Sequence, residues 1–181
     1  METGRANHQL RMALTGEQIQ SRVGELGAAL DAAYRGSPDL VLVGVLRGAL
    51  YFLADLSRAL TTPHRLDFVE YASYAGMAKG RGRLVKRCSD PVTDADVVLV
   101  DEVLDTGDTL RRIRRTMERA QPRSLAICVL LDKQRAHGLP APEFVGFAVG
   151  PEFLVGYGLD HEQQYRHLPY VAILSRRPTS F

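Results

Sequence analysis

Residues 97–110 read Val-Val-Leu-Val-Asp-Glu-Val-Leu-Asp-Thr-Gly-Asp-Thr-Leu, and this stretch decides the fold. Val97 to Val100 is a continuous apolar run, the pattern of a parallel strand covered on both faces. It ends in two adjacent acids, Asp101 and Glu102, and a third, Asp105, stands directly before the turn Thr106-Gly107-Asp108-Thr109. Ligands of parallel sheets bind in the crevice at the carboxyl ends of the strands, so the acids stand where a ligand would sit. Leu110, Ile113 and Met117 recur at helical spacing after the turn. Small side chains and backbone N–H groups at the start of that helix suit a phosphate monoester. Carboxylates beside a phosphate repel it unless they bind something else, and ribose hydroxyls and Mg²⁺ both call for hard oxygen acceptors. A plainer alternative makes Asp105 or Asp108 a helix cap and the acid pair a solvated strand end. It accounts for one acid more readily than for three.

Working outward, the rest of the chain alternates apolar strands with amphipathic helices. Residues 1–12 are polar with little periodicity and read as a loose arm. Thr15-Gly16-Glu17-Gln18 resembles a capping box, and Ile19, Val23, Leu26 and Leu30 then recur at helical spacing up to about Tyr34, where Gly36-Ser37-Pro38 stops the helix. Asp39 to Val45 reads as a buried strand, Ala49 to Leu60 as a helix, and Leu66 to Tyr71 as another strand. Residues 72–82 read as a mobile Gly-rich loop, and Leu125 to Leu131 as a further strand. Short strand-like pieces follow at Phe144 to Val149, Phe153 to Gly156 and Tyr170 to Leu174. The expected fold is α/β, an open, mostly parallel sheet flanked by helices.

At 181 residues, with 45% hydrophobic and 24% charged residues, the chain fits one soluble domain. Its formal charge of +2 is too small to argue for nucleic acid, although Arg111, Arg112, Arg114, Arg115 and Arg119 concentrate on one helix. No stretch is long and apolar enough to span a bilayer, and no secretion signal opens the chain, so a cytoplasmic protein is expected. Cys88 and Cys128 match no metal-finger or CxxC spacing and read as reduced, inert thiols.

The segment at 97–110 resembles the phosphoribosyl diphosphate (PRPP) motif of type I phosphoribosyltransferases: a strand, two acids, two apolar residues, then Asp-Thr/Ser-Gly-x-Thr. From about Thr15 to Leu174 the chain is similar to the hypoxanthine (hypoxanthine-guanine) phosphoribosyltransferases, with further motifs in the family's order. Leu46-Arg47-Gly48 resembles the diphosphate-binding loop, whose first peptide bond is often cis in the family. Ser73-Tyr74, followed by Gly76, Gly80 and Gly82, resembles the flexible catalytic loop, departing from the bacterial pattern after Met77. Leu130-Leu131-Asp132-Lys133 ends the next strand, and Phe153-Leu154-Val155-Gly156-Tyr157-Gly158-Leu159-Asp160 is close to the C-terminal signature.

That resemblance implies a single domain over residues 1–181, with a core over about 15–139 and a small hood subdomain from about 1–14 and 140–181 that covers the base. It implies Mg²⁺-dependent transfer of 5-phosphoribosyl from PRPP to N9 of hypoxanthine, and of guanine, as purine salvage. Asp101 and Glu102 would hold the ribose, Thr106, Gly107, Asp108 and Thr109 the 5′-phosphate, and Arg47, Gly48 and Arg166 the diphosphate. Asp105 would take the N7 proton. Lys133 would hold the purine O6, since an ammonium only donates. Phe153 would stack on the base, and Leu154 and Asp160 would offer backbone groups to it. Glu102, Asp101 and Asp160 would serve metal. Relatives suggest a homodimer or homotetramer. Two departures stand out. The acid order is Asp-Glu where the family has Glu-Asp, and Asp108 fills a position that is often Lys or Asn, so its carboxylate is expected to point outward or cap the helix. Two other readings on this fold are a nucleotide-sensing RNA-binding regulator and a xanthine-preferring transferase.

Overall fold

The computed structural model of the protein describes residues 8–73, 82–135 and 138–176. A six-stranded sheet forms the centre. Its strands are β2 (Leu40–Leu46), β3 (His64–Ser73), β4 (Gly82–Lys86), β5 (Asp96–Leu104), β6 (Ser124–Asp132) and β7 (Phe144–Ala148), in the spatial order β4-β3-β2-β5-β6-β7. All neighbours run parallel except β3 and β4, which form an antiparallel edge. The apolar runs of β2 and β5 are buried along their length because both faces are covered.

Three helices cover those faces: α1 (Gly16–Ala33), α2 (Leu50–Ala59) and α3 (Asp108–Glu118). The capping box closes the start of α1: Gln18 N–H donates to Thr15 Oγ1 at 3.2 Å, and Thr15 N–H to Gln18 Oε1 at 2.9 Å. Ile19, Val23, Leu26 and Leu30 of α1 join Phe52, Leu53 and Leu56 of α2 against Leu40, Leu42, Val98 and Val100. On the other face Leu110, Ile113 and Met117 of α3 pack on Val41, Val43, Val97, Leu99, Ile127 and Val129. Full burial of each such side chain contributes roughly 1.5–3 kcal/mol, enough to hold helices that their own propensities would not.

A second, three-stranded antiparallel sheet has the order β1 (His8–Leu14), β9 (Val171–Arg176), β8 (Leu154–Val155). Two expectations are corrected here. Residues 8–12, read as part of a loose arm, belong to β1: it pairs with 171–176 and so gains its backbone partners from the far end of the chain, which no local periodicity reveals. Residues 144–148, expected in the hood, add β7 to the edge of the main sheet. Among the described residues no helix is long and apolar enough to cross a membrane. Cys88 and Cys128 are free, and burial pushes the Cys88 thiol up to about 11.

Candidate active site

Parallel strands bring their carboxyl ends to one edge of the sheet, and there a cavity of about 450 Å³ opens over β2 and β5. Its lining includes Val45 to Gly48 from the end of β2, Tyr71 from β3, every residue from Asp101 to Leu110, and Asp160 and Arg166 from the C-terminal segment. The acids, the phosphate turn and both diphosphate arginines read from the sequence therefore share one space.

The start of α3 and the loop that leads into α2 line it. Gly107 takes the left-handed conformation (φ 71°) that lets the chain turn from β5 into α3, and no side chain caps that helix. Its first N–H groups are left open to an anion. Asp108, the first residue of α3, lines the cavity with an exposed side chain whose carboxylate is paired with Arg111 one turn on, which offsets its charge. The second N-terminus is that of α2, also without a side-chain cap, which follows Leu46-Arg47-Gly48. The Leu46–Arg47 peptide bond is cis.

Between these ends lie the acids. Asp101 is buried and accepts the Glu102 N–H at 3.0 Å. Burial first, and then the Glu102 carboxylate beside it, hold the Asp101 carboxyl well above the usual range. Glu102 lies against Gly48 so closely that a Cβ there would stand 1.7 Å from Glu102 Oε1. Its other oxygen, Oε2, is shut from water without a hydrogen-bond partner among the described residues. A buried, unpaired carboxylate oxygen facing the cavity is a donor that a hard cation suits. Gly158, with φ 101°, brings the C-terminal segment onto this loop: a Cβ on it would meet Gly48 O at 2.0 Å.

Asp160 and Arg166 form an ion pair at 2.5 Å. Arg166 Nη1 also donates to Gly158 O at 2.6 Å, and Gln163 N–H donates to Asp160 Oδ2 at 2.9 Å. Arg47 reaches the same group through Gln163 Oε1, at 3.5 Å.

The residues that the resemblance places at the base sit beyond the lining. Lys133 extends from the end of β6, and its Nζ donates to Asp105 Oδ2 at 3.1 Å. Arg135 Nη1 stands 2.9 Å from Asp105 Oδ1 without the alignment of a hydrogen bond. Phe153 is 51% exposed, its ring edge-on to His161 at 5.5 Å, and His161 in turn meets His8. Leu154 is buried in β8. None of Lys133, Phe153 and Leu154 lines the cavity itself. Ser73 closes β3, while Tyr74 lies outside the described residues. Sequence reasoning passed over Tyr71, Arg135 and Gly158. The alternation of β3 holds the signal for Tyr71, which shares a face with Val69; the other two depend on tertiary approach.

An open parallel sheet with two uncapped helix ends and acids at one strand terminus defines a phosphate-handling nucleotide enzyme. Residues 14–162 match the family described as phosphoribosyl transferase domain. The chain is 41% identical over 168 residues to the hypoxanthine phosphoribosyltransferase of Salmonella typhimurium, covering 91% of this chain and 94% of that one. It is 39% identical over 172 residues to the hypoxanthine-guanine phosphoribosyltransferase of Mycobacterium avium, covering 91% and 85%. A crystal structure of the hypoxanthine phosphoribosyltransferase of Staphylococcus aureus superimposes with a TM-score of 0.86 at 37% identity, over 91% of each chain. The chain belongs to the phosphoribosyltransferases, among the hypoxanthine phosphoribosyltransferases.

Proposed function

We propose that this protein is a purine salvage enzyme that transfers 5-phosphoribosyl from PRPP to N9 of hypoxanthine, and of guanine, releasing diphosphate. The observation that carries this reading is the cavity in which the uncapped start of α3 and the Leu46-Arg47-Gly48 loop before α2 flank the acids at the end of β5. A molecule bearing phosphate at one end, diphosphate at the other and hydroxyls between them matches that spacing of charge.

Each part of the substrate then has a place. The 5′-phosphate lies on the Thr106–Thr109 turn, and the diphosphate on Arg47, Gly48 and Arg166. The ribose hydroxyls face Asp101 and Glu102. Departure of diphosphate leaves a cationic sugar, so the work of the protein is to neutralise the leaving group and to hold sugar and base in line. Asp105 accepts the proton from N7 as N9 becomes nucleophilic. Lys133 donates to O6, and adenine is rejected because its amino group offers donors where the ammonium needs an acceptor. Phe153 supplies the stacking face, with Leu154 and Asp160 at the edge of the base, and the sheet β1-β9-β8 is the hood over it.

Mg²⁺ would be held by Glu102, whose Oε2 lacks a partner, together with Asp160 and Asp101, and would supply charge to the diphosphate. Asp160 is tied to Arg166 in the structure, and both line the cavity, so the carboxylate that would help hold the metal lies beside the arginine that would meet the diphosphate.

The test mixes the protein with PRPP and Mg²⁺ and, separately, hypoxanthine, guanine, xanthine, adenine and uracil, and follows nucleotide formation. Turnover of hypoxanthine and guanine is expected, and none of adenine or uracil. Xanthine as the preferred base, or no turnover of any oxopurine, would overturn the assignment.

A further inference from the structure

We propose that Tyr71 is a further substrate-binding residue, whose hydroxyl donates a hydrogen bond to the phosphate seated at the start of α3. This rests on the phosphoribosyl-transfer reading above and adds to it a group from β3, outside the motif at 97–110.

Tyr71 lines the cavity, and its phenolic oxygen is shut from water with no hydrogen-bond partner among the described residues. A phenol both donates and accepts, and leaving both capacities unmet inside a protein is unfavourable. Such a group is explained by a partner that arrives with the ligand.

Its position selects which end of the ligand. Val69, two residues earlier and on the same face of β3, is in register with Val45 of β2. Both pack on the face of the sheet that carries α3, and Tyr71 packs against that same apolar layer, which includes Leu110 in the first turn of α3. The helix that follows the diphosphate loop, α2, packs on the opposite face with Leu40 and Leu42. Tyr71 is therefore on the side of the Thr106–Thr109 turn and not on the side of α2. An anion placed there accepts from the open N–H groups of α3, and a phosphate oxygen, being an acceptor, is what a phenolic O–H completes. Asp108, at the same turn, has its charge offset by the ion pair with Arg111.

The experiment compares the wild-type protein with Tyr71→Phe, which keeps the ring and removes only the hydroxyl. Ribose 5-phosphate, which carries the monoester but neither diphosphate nor base, is titrated calorimetrically into each. We expect about tenfold weaker binding to the variant, the order of one hydrogen bond to a charged group. The KM for PRPP should rise by a similar factor with the KM for hypoxanthine unchanged, and the midpoint of thermal unfolding of the ligand-free protein should not fall. Equal affinity of the two proteins for ribose 5-phosphate overturns the proposal. So does an equal rise in both KM values accompanied by a lower unfolding temperature, which is the signature of a packing role. The ribose 5-phosphate titration uses no base, so loss of binding in the variant upholds Tyr71 even if the wild type turns over none of the oxopurines.

Discussion

Lys133 and Asp105 are joined by an ion pair at 3.1 Å. They come from the ends of adjacent parallel strands, β6 and β5, and Lys133 N–H donates to Leu104 O at 3.0 Å, which fixes the distance between the two segments. The residue proposed to accept the N7 proton and the residue proposed to read O6 thus satisfy each other when no base is bound. Those two atoms of a 6-oxopurine are neighbours on one edge of the ring, so a single base addresses both side chains by replacing their mutual contact. An adenine edge has no acceptor for the ammonium to regain, and its entry would break the pair without compensation.

Replacing Asp105 with Asn keeps size and removes the base. Turnover of hypoxanthine should fall by about 10²- to 10⁴-fold, the usual worth of a positioned general base. Binding of the nucleotide product should persist, because the phosphate turn is untouched. Single-turnover kinetics beside a titration with inosine monophosphate separates the two, and a variant of normal activity would reject the role.

Gly48→Ala tests the packing of the diphosphate loop on the acid pair. The new Cβ would stand 1.7 Å from Glu102 Oε1, so the carboxylate must move. The affected contact lies at the rim of the cavity and not in the apolar core. We therefore expect catalytic efficiency toward PRPP to drop by at least about tenfold, roughly 1.4 kcal/mol, with a smaller loss of thermal stability. Steady-state kinetics and a melting curve on the same preparation decide it.

The unpaired Oε2 of Glu102 leads to a metal-dependence prediction. Glu102→Gln halves the acceptor strength at that point and should shift the Mg²⁺ concentration for half-maximal rate upward by about an order of magnitude, while chelation of Mg²⁺ should abolish turnover of the wild type. The measurement is rate against free Mg²⁺ at saturating PRPP. An unchanged curve would remove Glu102 from the metal site.

The strand-acid-turn motif was legible because burial and helix spacing are local properties: Val97–Val100 and Leu110, Ile113 and Met117 occupy the layers their spacing predicts. The capping box at Thr15 was legible for the same reason. What escaped were contacts made by distant parts of the chain. His8–Leu14 shows no alternation because its strand is set by pairing with Val171–Arg176 and its side chains are mostly exposed. The expectation that Phe144–Ala148 belongs to the hood rests on the resemblance alone, and a five-residue strand carries no local sign of which sheet it joins. Tyr71 was visible only as the end of a strand, and its unpaired hydroxyl emerges from the arrangement of β3 and α3.

Acid stability should depend on Asp96, at the opposite end of β5 from the site. Its carboxylate accepts from Arg123 Nε and Nη2 at 3.0 and 2.8 Å, from Ser37 Oγ at 2.6 Å and from Ser124 Oγ at 2.7 Å. Burial alone would raise its pKa, but the bonds from Arg123, Ser37 and Ser124 outweigh it and hold the group below its ordinary value. A carboxyl whose pKa is lowered by folding contributes stability above its unfolded pKa of about 3.9, and that contribution is lost as pH falls through the lowered folded value. Asp96→Asn should therefore destabilise the protein at pH 7 by about 2 kcal/mol, the order of the hydrogen bonds to a charged group that it weakens. Since Arg123 is partly exposed, the effect is smaller than for a fully buried pair. The difference between variant and wild type should shrink below pH 4, where the wild type begins to lose the same charge. Urea unfolding of both proteins between pH 3 and 7 checks the sign, and a gap that widened toward acid would contradict it.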